Sequence, residues 1–404
     1  MGTQMRGHLG ALLGRDDVEV LAVCDVDTTR RETALKRVHD AYAAKPGSAS
    51  TSCAAYNDFR DLLARKDIDA VLIATPDHWH AFIAIAAVKS GKDVYCEKPL
   101  THNIREAVEL VKAVRRTERV FQTGSQQRSS KEFRVACELV RNGVLGRVTA
   151  VNVSFGDPAK DYALPAEPIE PGLDWNLWCG PGPLVAYNPA LSPRGVHTNF
   201  PDWRKTWEFG GGAITDWGAH HIDIAQWALG QDGRGPVEIR APQDWQNARR
   251  GAQLVYADGT VLTHVRGKGV SFHGTEGELH VNRGKFELIL DGKTRHRFWD
   301  KEIDKTTSME REVTLTEREL LADAKIKLPQ TKSHLQNFLD CVRSRERPIC
   351  DVAIGASSAI SCHLMNFAYH YGANAKWDPV NHRFEEGGRS KWLTRDRYRD
   401  KWSV

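Results

Sequence analysis

Between residue 16 and about residue 125, short apolar runs alternate with stretches of helical spacing. This rhythm restricts the fold more than any other feature of the chain. "VEVLAVCD", "DIDAVLIATPD", "KDVYCEKP" and "RVFQTGS" read as strands. Residues 28–44, the apolar run "HAFIAIAAVKSG" stopped by Gly91, and residues 103–118 read as helices. The strands are apolar throughout rather than on alternate residues, so both of their faces need cover. That requires a parallel sheet with helices on each side. A chain of 404 residues is long for one core, so a second domain is expected.

After about residue 128 the rhythm changes. A helix at 129–142 leads into "GRVTAVNVSFGD", a longer strand. Residues 157–206 are rich in Pro, Gly and Trp and show no period, and a stretch that long usually carries function or wraps another element. A helix at about 215–229 follows. Then come "PVEIRAP", "GAQLVYADGTVLTHVRG" and "GVSFHGTEGELHVNRGKFELIL", with "ADGT" as a hairpin turn. The expectation is an α/β chain in two parts. Residues 1–125 form a Rossmann-type parallel sheet. Residues 126–404 form an α+β domain with a large, mostly antiparallel open sheet, and the helical last third packs back. The charged 296–326 segment reads as a surface excursion.

Charge narrows the function classes. The net charge of +4 comes from 56 basic and 52 acidic residues, which points to neither nucleic acid nor a membrane surface as partner. No apolar run reaches the length of a membrane span and no export signal is visible, so a cytoplasmic location is expected. The eight cysteines contain no CxxC pair and sit among apolar residues, which reads as buried free thiols in a reducing compartment and not a zinc site.

Ligands of open α/β sheets bind beyond the carboxyl ends of the strands, so the residues there matter most. The opening "MGTQMRGHLG" has the form of a phosphate-binding turn entering a helix, with Gly2, Thr3, Gln4 and Met5 at the turn. Met5 stands where a small residue is usual. The strand and the glycine that should come first are absent, so the run is expected to be the tail of a longer fingerprint that begins upstream of Met1. Asp25 ends the next strand, 23 residues after Gly2, where an acid accepts hydrogen bonds from a ribose and repels a 2′-phosphate. That favours NAD over NADP, although Arg30 and Arg31 nearby would suit NADP. The plainer reading is that Asp25 starts a turn. "TPDHWH" places Thr75, Pro76, Asp77 and His80 beside the cofactor. It would equally serve as a helix start with Asp77 or Thr75 as its cap, and His78 reads as a wall or solvent residue. "CEKPL" puts Glu97 and Lys98 at another strand end, where Pro99 holds Lys98 extended. A lysine beside a nicotinamide would relay a proton, whereas one on the surface would do nothing chemical.

In "TDWGAHHIDIAQWALG", Asp216 and His220 are four apart, and Asp223 and Trp227 continue the same helix face. A histidine oriented by a carboxylate suits acid–base work near neutral pH. The same spacing is also met as a core histidine with an i,i+4 contact, and a metal site lacks a further clear ligand.

Taken in order, "EKP", "TGSQQR", "LDWNLWCGPGP", "FGGGAITDWGAHHIDIAQWALG" and "CHLMNFAYHYG…KWDP" resemble the glucose–fructose oxidoreductase, inositol dehydrogenase and MocA (Gfo/Idh/MocA) family, in its large sugar-acting bacterial subgroup. The resemblance runs nearly end to end. It implies NAD as cofactor and reversible oxidation of a secondary hydroxyl on a sugar or sugar derivative. Lys98, Asp216 and His220 would be catalytic, with Asp223 in support. Glu97 and Gln126 would lie near the nicotinamide, and Arg128 and Trp178 near the sugar. The four tryptophans Trp175, Trp178, Trp203 and Trp207 offer faces for stacking a sugar or for packing the sheet. The resemblance also implies a homodimer or homotetramer formed through the open sheet face. An NAD-dependent glycosidase that oxidises its sugar transiently, and a redox-dead sensor or inactive truncated member, are the other readings. If an upstream segment carries an export signal, the location becomes periplasmic.

Overall fold

The computed structural model describes residues 2–45, 52–267, 269–394, 398, 399 and 402; Met1 lies outside them. The first region runs α1 (Thr3–Leu13), β1 (Ala22–Cys24), α2 (Thr28–Ala43), β2 (Ala54–Tyr56), α3 (Phe59–Ala64), β3 (Ala70–Ile73), α4 (Asp77–Lys89), β4 (Asp93–Cys96), α5 (Ile104–Thr117) and β5 (Phe121–Thr123). Every strand pair here is parallel, as the apolar runs require. The strands form two ladders, β1–β2 and β3–β4–β5. A cavity of about 1060 Å³ lies between them, walled by residues 17–26 and 66–76. Each helix start has its own local cause. Asp27, Asp58 and Asn103 accept the N–H groups of Arg30, Arg60 and Glu106 and so cap α2, α3 and α5. α4 differs: Pro76 occupies its N-cap position, so Asp77 falls in the first turn and Thr75 one residue before the cap.

The second region runs α6 (Lys131–Arg141), β6 (Val148–Ser154), α7 (Trp175–Cys179), α8 (Gly212–Asp216), α9 (Gly218–Leu229), β7 (Glu238–Arg240), β8 (Gln253–Val255), β9 (Val261–Val265), β10 (Gly269–Gly274), β11 (Gly277–Asn282), β12 (Lys285–Leu290), β13 (Lys293–Phe298), α10 (Met309–Leu320), α11 (His334–Ser344), α12 (Val352–Tyr371), β14 (Ala375–Asp378) and β15 (Arg383–Glu386). Ten of its strands form one sheet in the order β13-β12-β11-β10-β6-β9-β8-β7-β14-β15. Among the described residues only β6 and β9 of this sheet pair in parallel; the other pairs are antiparallel. One face is buried by alternate residues: Val270 and Phe272 on β10, Leu279 and Val281 on β11, Phe286 and Leu288 on β12.

A single apolar core runs from α4, β4 and α5 through α9 and α12 to this sheet. α12 packs on α5 and α9, and Phe338 of α11 packs against Tyr95 and Val120. The aperiodic stretch 157–206 wraps back over the first region. The Thr28 N–H donates to Gly172 O (3.0 Å) and the Asp174 N–H to Val26 O (3.0 Å). Its Trp175, Trp178 and Trp203 cluster with Tyr187 and Phe209. All eight cysteines are free, seven of them buried.

Two elements differ from the sequence reading. The 296–326 segment contains α10, whose Val313 and Thr316 are fully buried. The helix expected over 215–229 is broken at Trp217 into α8 and α9.

Candidate active site

The break after Asp216 begins with a lysine 118 residues upstream of that aspartate. Lys98 stands just beyond the end of β4, before a cis Lys98–Pro99 peptide. Its ammonium donates to Asp216 Oδ1 (2.6 Å) and to the Asp216 carbonyl (3.0 Å). In an unbroken helix that carbonyl would accept from the His220 N–H. The His220 N–H instead donates to Trp217 O (3.0 Å), so the chain tightens by one residue and α9 starts afresh. The carboxylate of Asp216 therefore faces Lys98 and not the imidazole of His220. The expected Asp216–His220 contact on one helix face is replaced by a Lys98–Asp216 ion pair with His220 beside it.

Electrostatics fix the protonation states. Burial alone would raise the Asp216 carboxyl, but Lys98, Arg204 and Arg283 outweigh it and hold the group below the usual carboxylate range. His220 is pushed well below the ordinary histidine value by burial, reinforced by the charges of Lys98 and Arg283. It is a neutral imidazole at neutral pH, and its Nδ1 is buried with no partner among the described residues. An ammonium held by a carboxylate beside a neutral imidazole is a polarising cation and a proton acceptor in one place.

The cavity between β1 and β3 reaches toward this group. It is lined by Gly2, Thr3, Gln4, Met5, Asp25, Thr75, Pro76, Trp178 and Arg204, and Arg204 Nε is 3.8 Å from Asp216 Oδ2. Gly2 precedes α1, which has no side-chain cap, and a Cβ there would meet nothing within 4 Å. The turn thus leaves its N–H groups open to an approaching phosphate. Asp25 sits beyond the end of β1 and accepts from the Asp27 N–H (3.0 Å). Thr75 Oγ1 and Gln126 Oε1 are buried without a partner among the described residues. Of this set, Gly2, Thr3, Asp25 and Thr75 line the cavity and fit a dinucleotide that enters at the α1 turn; Gln126 and Lys98 lie outside its lining.

Other residues singled out in the sequence stand behind the site. His80 bridges two strand-end loops, contacting Pro99 O (2.7 Å) and Thr75 O (3.0 Å). His78 is buried against the Trp178 carbonyl, so it is a wall residue. Asp77 is buried in the first turn of α4. Arg128 is 1% exposed; its guanidinium is taken up by Asp223 (2.8 and 2.9 Å) and Asp232 (2.6 and 2.9 Å). Ser358 adds a hydrogen bond to Asp223 (2.8 Å). Trp178 is 5% exposed and stacks on Trp175, with ring centres 4.5 Å apart. Trp175, Trp178, Trp203 and Trp207 are all buried, and their faces are largely spent on one another and on their neighbours.

Four residues escaped the sequence reading: His8, Gly124, Arg204 and Arg283. His8 Nε2 (2.7 Å) and Gln4 Nε2 (3.0 Å) both meet Glu97 Oε1, tying α1 to the end of β4. Gly124 packs so close that a Cβ would lie 2.9 Å from the Glu97 carboxyl. Arg204 comes from the one-turn helix at Asp202–Lys205, and Arg283 from the β11–β12 hairpin. No local pattern marks any of the four, since each contact is made across the fold.

Comparison with known proteins agrees with this architecture. Residues 1–125 match the NAD-binding Rossmann-fold domain of an oxidoreductase family, and residues 136–282 match its C-terminal alpha/beta domain. A glycosyl hydrolase family 109 protein of Shewanella pealeana is 31% identical over 148 residues, 37% of this chain and 32% of its own length. Myo-inositol 2-dehydrogenase of Thermotoga maritima is 28% identical over 144 residues, 36% of this chain and 40% of its own length. The match thus spans about a third of the curated relatives. An NAD-binding protein from Listeria innocua superposes with a TM-score of 0.60 at 17% identity, covering 93% of this chain and 94% of the other, a likeness of fold. With both domain models of one family matched in order over more than half of its length, the chain belongs to the Gfo/Idh/MocA oxidoreductase family.

Proposed function

We propose that the chain is an NAD-dependent oxidoreductase that moves a hydride between the nicotinamide and a secondary hydroxyl of a sugar or polyol. The observation that carries this reading is the Lys98–Asp216 ion pair beside a neutral, buried His220, joined through Arg204 to a cavity walled by Gly2, Asp25 and Thr75. A nicotinamide bound there supplies the hydride acceptor. His220 takes the proton of the hydroxyl, which only its neutral form can do. Lys98 stabilises the negative charge that grows on the hydroxyl oxygen, and Asp216 holds the ammonium in place. In the reverse direction His220 returns the proton. Glu97, fixed by Gln4 and His8, keeps the strand end that carries Lys98 in register with α1.

The choice of NAD over NADP is supported by three side chains. Asp25 places a carboxylate at the end of β1. The two arginines that would suit a 2′-phosphate are engaged elsewhere: Arg30 with Asp27 and the Gly195 and Pro193 carbonyls, Arg31 with the Asp25 carbonyl and Asn57. Replacing Asp25 with Asn should raise NADP⁺ affinity relative to NAD⁺ by about tenfold. An unchanged ratio in competitive titrations would remove Asp25 from this role. The division into residues 1–125 for the dinucleotide and 126–404 for substrate and assembly belongs to the same proposal. So does a homodimer or homotetramer through the open sheet face, which light scattering on the purified chain checks.

The test of function is NADH formation with NAD⁺ and a panel of polyols and sugars, using Lys98→Ala and His220→Ala as controls. Turnover that both variants abolish supports the reading, and turnover that survives both refutes the assigned roles. The glycosyl hydrolase among the relatives favours a second reading, cleavage of a glycoside with the hydride returned at the end. Stoichiometry separates the two: glycoside cleavage with no net NADH supports the second, and net NADH from a free sugar the first.

A further inference from the structure

Two arginines crowd the carboxylate that holds Lys98, and neither is needed to hold it. Arg204 Nε lies 3.8 Å from Asp216 Oδ2, beyond hydrogen-bonding distance, while Lys98 already occupies Oδ1 at 2.6 Å. The Arg204 guanidinium lies over Trp203 (4.2 Å to the ring centre) and Phe200 (5.5 Å). Its Nη1 is buried with no hydrogen-bond partner among the described residues, in a side chain that lines the cavity. Arg283, from the β11–β12 hairpin, lies near enough for its charge to act on the same carboxylate. It lies over Trp217 (4.8 Å) and donates through Nε to Gln127 Oε1 (3.1 Å). Both arginines are close enough to Asp216 to lower its pKa, and Arg283 is also felt by His220.

The carboxylates that face Arg283 are Asp216, Glu132 and Glu97. Each has other partners: Asp216 has Lys98, Glu97 has His8 and Gln4, and Glu132 accepts from the Gly284 N–H and is pushed up by burial. Of the aromatic supports, Trp203 is buried, whereas Trp217 is 45% and Phe200 72% exposed. A guanidinium cannot shed its proton in a protein. A buried guanidinium nitrogen without an acceptor is therefore a standing cost that an oxygen from a ligand would remove. A planar fork laid flat on a ring offers its edge, and the group that matches that edge with two oxygens in one plane is a carboxylate.

We propose that the opening over Lys98, Asp216 and His220 takes a sugar that carries a carboxylate, with Arg204 and Arg283 as the residues that recognise it. This rests on the sugar-oxidoreductase reading and narrows it to a substrate class. The hydroxyl to be oxidised lies at His220 and Lys98, and the carboxylate is held toward Arg204 Nη1 and the Arg283 fork. The hydride balance is that of the parent reaction, because the carboxylate is bound and not changed.

The experiment compares D-glucuronate, D-galacturonate and D-mannuronate with their parent hexoses and with D-glucose 6-phosphate, in NAD⁺-dependent turnover and in calorimetric titration. The proteins are the wild-type chain, Arg204→Gln and Arg283→Gln, with NAD⁺ titrated separately into each. At least one hexuronate should exceed its parent hexose by about tenfold or more in kcat/KM, and the ratio should collapse in both variants. A merely structural arginine would lower uronate and hexose alike and leave the ratio intact, which overturns the proposal. Preference for the sugar phosphate overturns the carboxylate assignment. An Arg204→Gln variant that loses NAD⁺ affinity but keeps the uronate preference places Arg204 at the cofactor and overturns its role here. If no sugar turns over, the oxidoreductase reading fails and calorimetry still decides: hexuronate binding lost in both variants supports the carboxylate site, and no hexuronate binding overturns it.

Discussion

The Lys98–Asp216 pair allows a quantitative test of how the site is held. The two groups meet at 2.6 Å, with side chains 17% and 24% exposed. At an effective dielectric of about 20 the direct attraction at this separation is roughly 6 kcal/mol, most of it offset by the desolvation of both ions. A hydrogen bond between charged groups nets about 1.5–3 kcal/mol, so that is the coupling expected here. Lys98→Met leaves Asp216 with only the more distant Arg204 and Arg283. Asp216→Asn leaves the ammonium with the backbone carbonyl. Each single change should cost about 2–3 kcal/mol, and the double variant little more than either. Urea denaturation of the four proteins at neutral pH measures the cycle. The pH dependence gives a second reading with a defined sign. Asp216 has a folded-state pKa below its ordinary value, so its stabilisation is complete above about pH 4 and is lost as pH falls through the lowered value. In Lys98→Met the acid loss should move to higher pH. Single-variant effects that add to within about 0.5 kcal/mol would refute the pairing argument.

Other perturbations reach other parts of the account. Because His220 is neutral well below pH 6.5, the acid limb of kcat/KM should fall below the usual histidine range, and a limb centred near 6.5 or above would contradict the assigned base. His220→Ala should lower kcat/KM by about 10²–10⁴-fold. Arg128→Met strands Asp223 and Asp232 behind the site and should cost about 3–5 kcal/mol of stability, measured in urea; a rise in KM with unchanged stability would instead put Arg128 on the substrate. Gly124→Ala drives a methyl group into the Glu97 carboxyl and should cost about 1–3 kcal/mol while weakening NAD⁺ binding, which thermal melts with and without NAD⁺ would show.

The fold was legible where the physics is local. Strands buried on both faces must be apolar throughout, and β4, buried along its whole length, is legible that way. The alternating faces of β10, β11 and β12 are equally local. α10 was hidden in a charged segment because its buried stripe is thin, carried by Val313 and Thr316 with Met309 and Leu320 at its ends. The candidate site was legible as residues but not as geometry. Asp216 and His220 have helical spacing, yet the helix breaks between them because Lys98 takes the Asp216 carbonyl. That contact spans 118 residues, so no window of sequence contains it. The same holds for Glu97 with His8, and for the approach of Arg204 and Arg283 to Asp216. Arg128 was placed near the sugar by the family resemblance, and only the fold reveals the two carboxylates that occupy it.

The central claim is that this chain holds NAD in the cavity lined by Gly2 and Asp25, with the nicotinamide toward Lys98. Calorimetric titration of NAD⁺ into the purified chain, with an assay of any NAD(H) released on denaturation, tests it most directly. The account predicts saturable binding or co-purified NAD(H), weakened by Asp25→Ala. A chain that is folded by circular dichroism, carries no NAD(H) and gives no saturable heat with NAD⁺ would contradict it.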